Sequence, residues 1–422
     1  MINKERLSIC MLSVHSSPLG KLGSQDTGGM SVYVRELARE LGRAGHRVDI
    51  FTRGGNNDLQ RVVPLSENAR LMHLDVGENG MASKNELYPL LPLFYDRLES
   101  FRSKEGSSYD IIHSHYWLSG CAGSMAQKFW KVPHVVMFHT TGLAKMHNCS
   151  EEKEPEVRLV AEKKLARECS MIFAPTDKEK GLLSGLFSVS ERKISVVPCG
   201  VNLGTFNPLP KNWARKKLAL DILGPLILYV GRFAPVKGID RLLSAITDLN
   251  EYNGLKLIIA GGDNLTSESS ARLRQDARRL GIEKKVIFTG QIDHQDLPLF
   301  YSAADVLVVP SYYESFSLVT LESLACGTPV VATPVGVVPS LIKNGRTGEV
   351  VDPPTAQGFA SAIAKVFKGH EAGLFPAEEI RSSVEGYDWS HISSSVIHKY
   401  YKLLSVNSHS HENRKVADGI RC

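Results

Sequence analysis

The 422-residue chain is long enough for two domains with separate cores, and its 43% hydrophobic and 23% charged residues are ordinary for a water-soluble protein. Fifty basic and 45 acidic residues, interspersed along the chain, leave a net charge of +5, which argues against a nucleic-acid partner and is compatible with small anionic substrates. No stretch has the length and apolarity of a membrane span or signal peptide, and the seven scattered cysteines read as reduced, mostly buried thiols; a cytoplasmic protein without stable membrane association is expected.

Leu7 to Val14 predicts an apolar first strand. A loop with Gly20, Gly23, Gly28 and Gly29 follows, then a helix with Val34, Leu37, Ala38 and Leu41 on one face. Gly45 ends that helix and Arg47 to Thr52 is the next strand, so the chain opens as a Rossmann-type unit. Gly28-Gly29 has two readings: a tight turn at positive φ, or two residues without Cβ that let a diphosphate or sugar approach the helix N-terminus. Tyr88 to Tyr95 reads as core packing in preference to a membrane-docking surface, because no basic cluster flanks it.

Tyr109 to Trp117 is a strand running into a loop, with His113 and His115 on one face; no third ligand at suitable spacing makes them a metal site. The buried strand Val135 to Phe138 delivers His139 and Thr140 at its carboxyl end, where open α/β sheets bind ligands. In the helix Glu156 to Cys169, Arg158 lies near the start, where a cation opposes the dipole, so an anion is expected beside it.

The polar stretch through Pro208, Pro210 and Lys211 to Lys217 predicts a boundary between residues 1–205 and 206–387. Six strands then alternate with helices: Leu226 to Val230, Leu255 to Ala260, Lys285 to Phe288, Val306 to Val309, Val330 to Ala332 and Glu349 to Val351. They predict a second parallel, doubly wound sheet. Beyond Trp389 a helix with Ile392, Val396, Tyr400 and Leu403 closes the fold, and residues 407–422 are polar enough for a disordered tail.

The charged residues with the most pointed spacing lie in this second half. Arg232 and Lys237 flank a loop that enters a helix, suited to clamp a diphosphate, the first as a fork and the second as a point charge. Glu314 lies in the loop after Val306 to Val309, and Glu322 lies eight residues on, in a helix carrying Leu318, Leu321, Leu324 and Ala325. Either carboxylate alone reads equally well as a solvated helix-end charge. All four at strand ends of one sheet favour the clamp.

The G-R-x-x-x-x-K-G run at 231–238 and the E-x7-E pattern of Glu314, Ser315, Phe316, Leu318, Val319, Glu322, Gly327 and Thr328-Pro329-Val330 resemble the retaining glycosyltransferases of family 4. The resemblance implies the GT-B fold, two Rossmann-like doubly wound parallel-sheet domains facing across a cleft, with the last helix (388–406) crossing back onto the first domain. It implies a UDP-sugar as co-substrate, no tightly bound cofactor, and no need for Mg2+, although the ion would be compatible. Glu314 is then expected to orient the donor sugar and Glu322 to hold the ribose. Arg232 and Lys237 would stabilise the leaving diphosphate, Gly29 its approach, and His139 the sugar hydroxyls. His15 and Ile292 would lie on the donor side. Ser317 replaces the family's usual glycine.

The segments MLSVHSSPLG, GGMSVYVRELA, SHYWLSG and HTTGLAK resemble a family 4 subgroup that glycosylates D-inositol 3-phosphate, over nearly all of residues 5–405. By that resemblance Lys84, Tyr116, Thr140 and Arg158 bind the acceptor phosphate. Ser31 stands where the subgroup has an asparagine beside the inositol ring, which leaves fructose 6-phosphate, as in sucrose-phosphate synthase, as an alternative acceptor. A UDP-sugar epimerase and a non-catalytic nucleotide-sugar sensor are the readings from other classes, and a homodimer is compatible with the sequence.

Overall fold

The structure, a computed structural model, describes residues 6–20, 27–54, 61–76, 84–262 and 267–419, with only the backbone of 84, 85 and 406–419. The first sheet has β1 (Ser8–Leu12), β2 (Arg47–Gly54), β3 (Val62–Ser66), β4 (Ala69–Asp75), β5 (Ile111–His115), β6 (His134–Met137), β7 (Met171–Ala174) and β8 (Ile194–Val196), in the order β3-β4-β2-β1-β5-β6-β7-β8. All neighbours are parallel except β3 and β4. Sequence patterning places β1, β2, β5 and β6. It misses the half-exposed edge strand β3, whose Pro64 is tolerated only at an edge, its neighbour β4, and the four- and three-residue strands β7 and β8.

The second sheet has β9 (Leu226–Val230), β10 (Lys256–Ala260), β11 (Val286–Gly290), β12 (Val306–Val309), β13 (Val330–Ala332) and β14 (Gly348–Val350), all parallel, in the order β11-β10-β9-β12-β13-β14. Five of these six strands coincide with the expected ones within about a residue, and β11 runs two residues past its expected end. The central strands read as unbroken apolar runs because helices cover both faces, leaving Leu228, Ile258, Leu307 and Val331 at most 1% exposed. The direction of strand progression reverses between β1 and β5 in one sheet and between β9 and β12 in the other. Ligand crevices of open α/β sheets form at such switch points, outside the carboxyl ends of the strands.

The last helix, Trp389–Gly419, does cross back onto the first domain. Asp388 bridges to Val201, Trp389 sits edge-on to Tyr33 at 5.4 Å, and the Tyr400 hydroxyl lies 2.7 Å from His113 Nδ1 of β5. Its backbone stays helical to Gly419, through most of the stretch for which the sequence suggests disorder; no Pro and no earlier Gly in 407–418 stops it. In the Tyr88 to Tyr95 stretch, Leu91 and Phe94 are buried as core packing requires, while Tyr88 is exposed. No helix among the described residues is long and apolar enough to cross a membrane.

Candidate active site

The carboxyl ends of β9 and β12 bring the second-domain residues together. After β9 a 3-10 turn, Pro235–Lys237, leads through Gly238 into the helix Ile239–Ile246. Gly238 holds φ +64°, and a Cβ there would collide with the Pro310 carbonyl at the end of β12. Glycine is therefore required where the two switch strands' loops touch. That contact sets Lys237 Nζ 2.6 Å from Glu314 Oε1, to which the Ser311 hydroxyl also donates at 2.9 Å. Sequence spacing gives these two charges separate roles; the structure makes them an ion pair, both side chains less than a fifth exposed. Arg232 is exposed at the mouth of the same loop, its carbonyl accepting from the Tyr229 hydroxyl at 3.0 Å.

Glu322 is 5% exposed, in the helix Leu318–Ala325. The Tyr301 hydroxyl donates to its Oε2 at 2.8 Å and His294 Nε2 lies 2.7 Å from its Oε1. Burial beside this carboxylate pushes the Tyr301 hydroxyl far above the ordinary phenol value. A solvated helix-end charge is thus excluded for Glu322. His294 is a site residue that patterning misses. It lies two residues beyond Ile292 in the loop after β11, and its place outside a strand's carboxyl end was the available signal. Arg35 of the first domain reaches the other ring nitrogen of His294 at 3.4 Å. His294, Arg35 and Glu322 line an interdomain cavity of about 330 Å³.

Facing these residues is the helix Gly29–Arg43. Its cap, Gly28, supplies no side chain and its first turn holds no acidic residue, so its positive end is not neutralised from within. Neither Gly28 nor Gly29 has a positive φ, so the tight-turn reading fails. A Cβ on Gly29 would stand 3.2 Å from Leu318 Cδ1, the first residue of the helix that bears Glu322. The missing side chain lets the two helix starts approach. Ser31 is fully buried and its hydroxyl lies 2.6 Å from that of Ser16.

At the carboxyl ends of β5 and β6, His15 packs on Tyr116 (4.4 Å between rings), and Tyr116 lies under the Arg158 guanidinium at 4.8 Å. Arg158 donates to the Thr140 carbonyl at 3.0 Å, so Tyr116, Thr140 and Arg158 do converge. The anion expected beside Arg158 is supplied by the protein: Glu162 Oε1 and Glu154 Oε2 each accept at 2.7 Å. Burial raises the Tyr116 hydroxyl to about 12, keeping it a neutral donor. Lys84 begins a short helix, Lys84–Leu87, and its side chain lies outside the described residues. His139 holds φ +58° with Nε2 3.0 Å from His115 Nδ1; burial drives it down to about 3, so it acts as a neutral imidazole. Among the described residues, no group of three or more His, Cys, Asp or Glu side chains is placed to hold a metal ion.

Ser317 shows what the departure from glycine does. It takes φ +87°, a left-handed conformation that costs a residue with a Cβ about 1–2 kcal/mol, and turns its hydroxyl to Thr320 Oγ1 at 2.8 Å. The side chain is buried against its own helix, pointing to strain as the larger consequence. Ser317→Gly is expected to raise stability by about 1 kcal/mol, read as a shift in the denaturant midpoint at constant slope.

Two parallel-sheet domains of this topology, the second with carboxylates and cations at its switch point, define a GT-B glycosyltransferase. The model described as "Glycosyltransferase Family 4" matches residues 27–205, and that described as "Glycosyl transferases group 1" matches 211–374. The chain belongs to glycosyltransferase family 4. It is 34% identical to a D-inositol 3-phosphate glycosyltransferase of Corynebacterium jeikeium, over 97% of this chain and 99% of that protein. It is 35% identical to the Actinosynnema mirum protein of the same name, over 94% and 98%. Among solved structures, sucrose-phosphate synthase from Thermosynechococcus elongatus superposes with a TM-score of 0.87 at 30% identity, over 95% of this chain and all of that one. Anabaena HepE, solved with UDP and glucose, shares the fold at a TM-score of 0.73 and 18% identity, over 94% and 100%.

Proposed function

We propose that the protein transfers a hexosyl unit, N-acetylglucosamine or glucose, from a UDP-sugar to a hydroxyl of 1D-myo-inositol 3-phosphate or a similar phosphorylated polyol, with retention at the anomeric carbon. The observation that carries this reading is the Lys237–Glu314 pair, whose Glu314 lies four residues before Leu318, the residue that meets the uncapped start of the helix Gly29–Arg43. A donor diphosphate placed between them meets Lys237, Arg232 and the helix dipole. Those groups stabilise the charge that grows on the leaving oxygen as the glycosidic bond breaks. Glu314 would hold the sugar, Glu322 the ribose hydroxyls, and the neutral His139 a further sugar hydroxyl. By the family resemblance, His15 and Ile292 would lie on the donor side. Closure of the domains would exclude water and so suppress donor hydrolysis.

The names of the 34–35% identical relatives support an inositol phosphate acceptor. Tyr116, Thr140 and Arg158 would bind its phosphate, with Lys84 closing the set. A second reading, transfer to fructose 6-phosphate, is favoured by Ser31, whose hydroxyl is already engaged by Ser16 and has no amide to offer a ring. Mass spectrometry of products formed from UDP-N-acetylglucosamine or UDP-glucose with each acceptor separates the two. A hexosyl-inositol phosphate is expected; a sucrose phosphate product alone would select the second reading, and no product from either would reject transfer. The anomeric coupling in the product's proton NMR spectrum tests retention.

A further inference from the structure

Two side chains that carry no donor or acceptor role meet across the cleft. The Tyr313 hydroxyl donates to Glu179 Oε1 at 2.8 Å, and both residues are less than a tenth exposed. Glu179 lies in the first turn of the first-domain helix Asp177–Phe187, where its N–H donates to the capping Thr176 hydroxyl at 3.1 Å. Tyr313 belongs to the second domain and immediately precedes Glu314. Ala144, Cys149, Val236 and Tyr313, with Leu182 and Leu186 against them, form a small apolar cluster drawn from both domains, and Val236 precedes Lys237. The pair therefore ties a first-domain helix to both segments that hold the Lys237–Glu314 pair. Lys178, on the same helix, adds a second tie by donating to the Pro334 carbonyl at 3.0 Å.

We propose that Tyr313 and Glu179 are positioning residues: their hydrogen bond across the cleft holds the domains in this orientation and fixes Glu314 and Lys237 against the donor. The use of that orientation rests on the transfer reading; the tie itself does not. The charged and titratable groups around the pair are Lys178 on its own helix, Glu162 on a neighbouring helix, Glu314 beside Tyr313, and Cys149 in the apolar cluster. Burial outweighs the Tyr313 hydrogen bond and Lys178 and holds Glu179 at about 7, against 4.5 for an ordinary carboxylate. An opened cleft would return Glu179 to that ordinary value. Closure is thus unpenalised by this group below 4.5, loses ground as pH rises to about 7, and is constant above it.

The test compares Tyr313→Phe, Glu179→Gln and Glu179→Ala with the parent, near-ultraviolet circular dichroism confirming that each is folded. Removing a hydrogen bond to a carboxylate is expected to lower kcat for acceptor-dependent UDP release about tenfold in Tyr313→Phe, with donor KM within about twofold of the parent. Glu179→Gln still accepts from Tyr313. It is expected to have a kcat at pH 7 at or above the parent's and to lose the parent's pH dependence between 4.5 and 7. X-ray scattering of the free proteins reads the tie without turnover: Tyr313→Phe and Glu179→Ala should have larger radii of gyration than the parent, and Glu179→Gln an unchanged one. A Tyr313→Phe protein with parental radius and kcat, or a Glu179→Gln protein as impaired as Glu179→Ala, overturns the proposal. A parent inactive with every acceptor would sink the transfer reading alone, and scattering would still decide this one.

Discussion

Lys237→Ala is expected to lower acceptor-dependent UDP release by about 10²- to 10³-fold, the usual loss when one preorganised donor to a developing anion is removed. The structure makes this a catalytic prediction in preference to a stability one. Lys237 is part-exposed at the mouth of a loop, and its partner Glu314 keeps the Ser311 hydroxyl at 2.9 Å. In the free protein the cation is held 2.6 Å from a carboxylate, so in the proposed reaction a donor diphosphate would find it already positioned. In the proposed transfer the charge facing Lys237 would be larger in the transition state than in the bound donor, so kcat should fall by more than UDP affinity, the latter read by calorimetry. Lys237→Arg is not expected to rescue, because the guanidinium fork needs more room than the ammonium and Gly238 fixes the turn behind it. A Lys237→Ala rate near the parent's would remove the diphosphate clamp.

Arg158→Ala is expected to cost about 3–5 kcal/mol of stability, measured by denaturant unfolding, because it leaves the buried Glu162 without its cation, whereas Glu154 keeps Lys145 at 2.6 Å. Arg158 is 4% exposed at the side chain and Glu162 is fully buried. The Gly142 N–H, donating at 2.9 Å, would remain to Glu162. Burial already raises Glu162 despite Arg158; without the cation it rises further. A raised carboxylate costs nothing below its ordinary range and most above its shifted value, so the variant should lose more stability at pH 8 than at pH 5. Arg158→Ala with Glu162→Gln should recover part of the loss, since the two share one network. This result would also show that an acceptor phosphate does not find a waiting cation here: it would bind beside a guanidinium already shared by Glu154, Glu162 and Thr140.

The architecture was legible because its signals are local. The apolar runs of β9, β10 and β12, the glycine loop before Gly29 and the strand-end placement of Arg232 and Glu314 are written in consecutive residues. Partnerships across long separations were not. Lys237 and Glu314 are 77 residues apart in sequence, Tyr313 and Glu179 134, and Tyr400 and His113 287. No periodicity reports such pairs. Arg158 illustrates the converse: helix-dipole reasoning rightly required an anion, but could not distinguish a bound phosphate from Glu162 one turn away. From the sequence Ser317 is only a replacement of glycine, whereas its backbone angle makes conformational strain the main effect.

The most direct test of the proposed reaction is UDP release from UDP-N-acetylglucosamine and UDP-glucose, with and without 1D-myo-inositol 3-phosphate or fructose 6-phosphate. Release that requires one of these acceptors, and a glycosylated acceptor formed in equal amount, is the predicted result. Isomerisation of the donor without any acceptor, or tight UDP binding with no release under any combination, would contradict it.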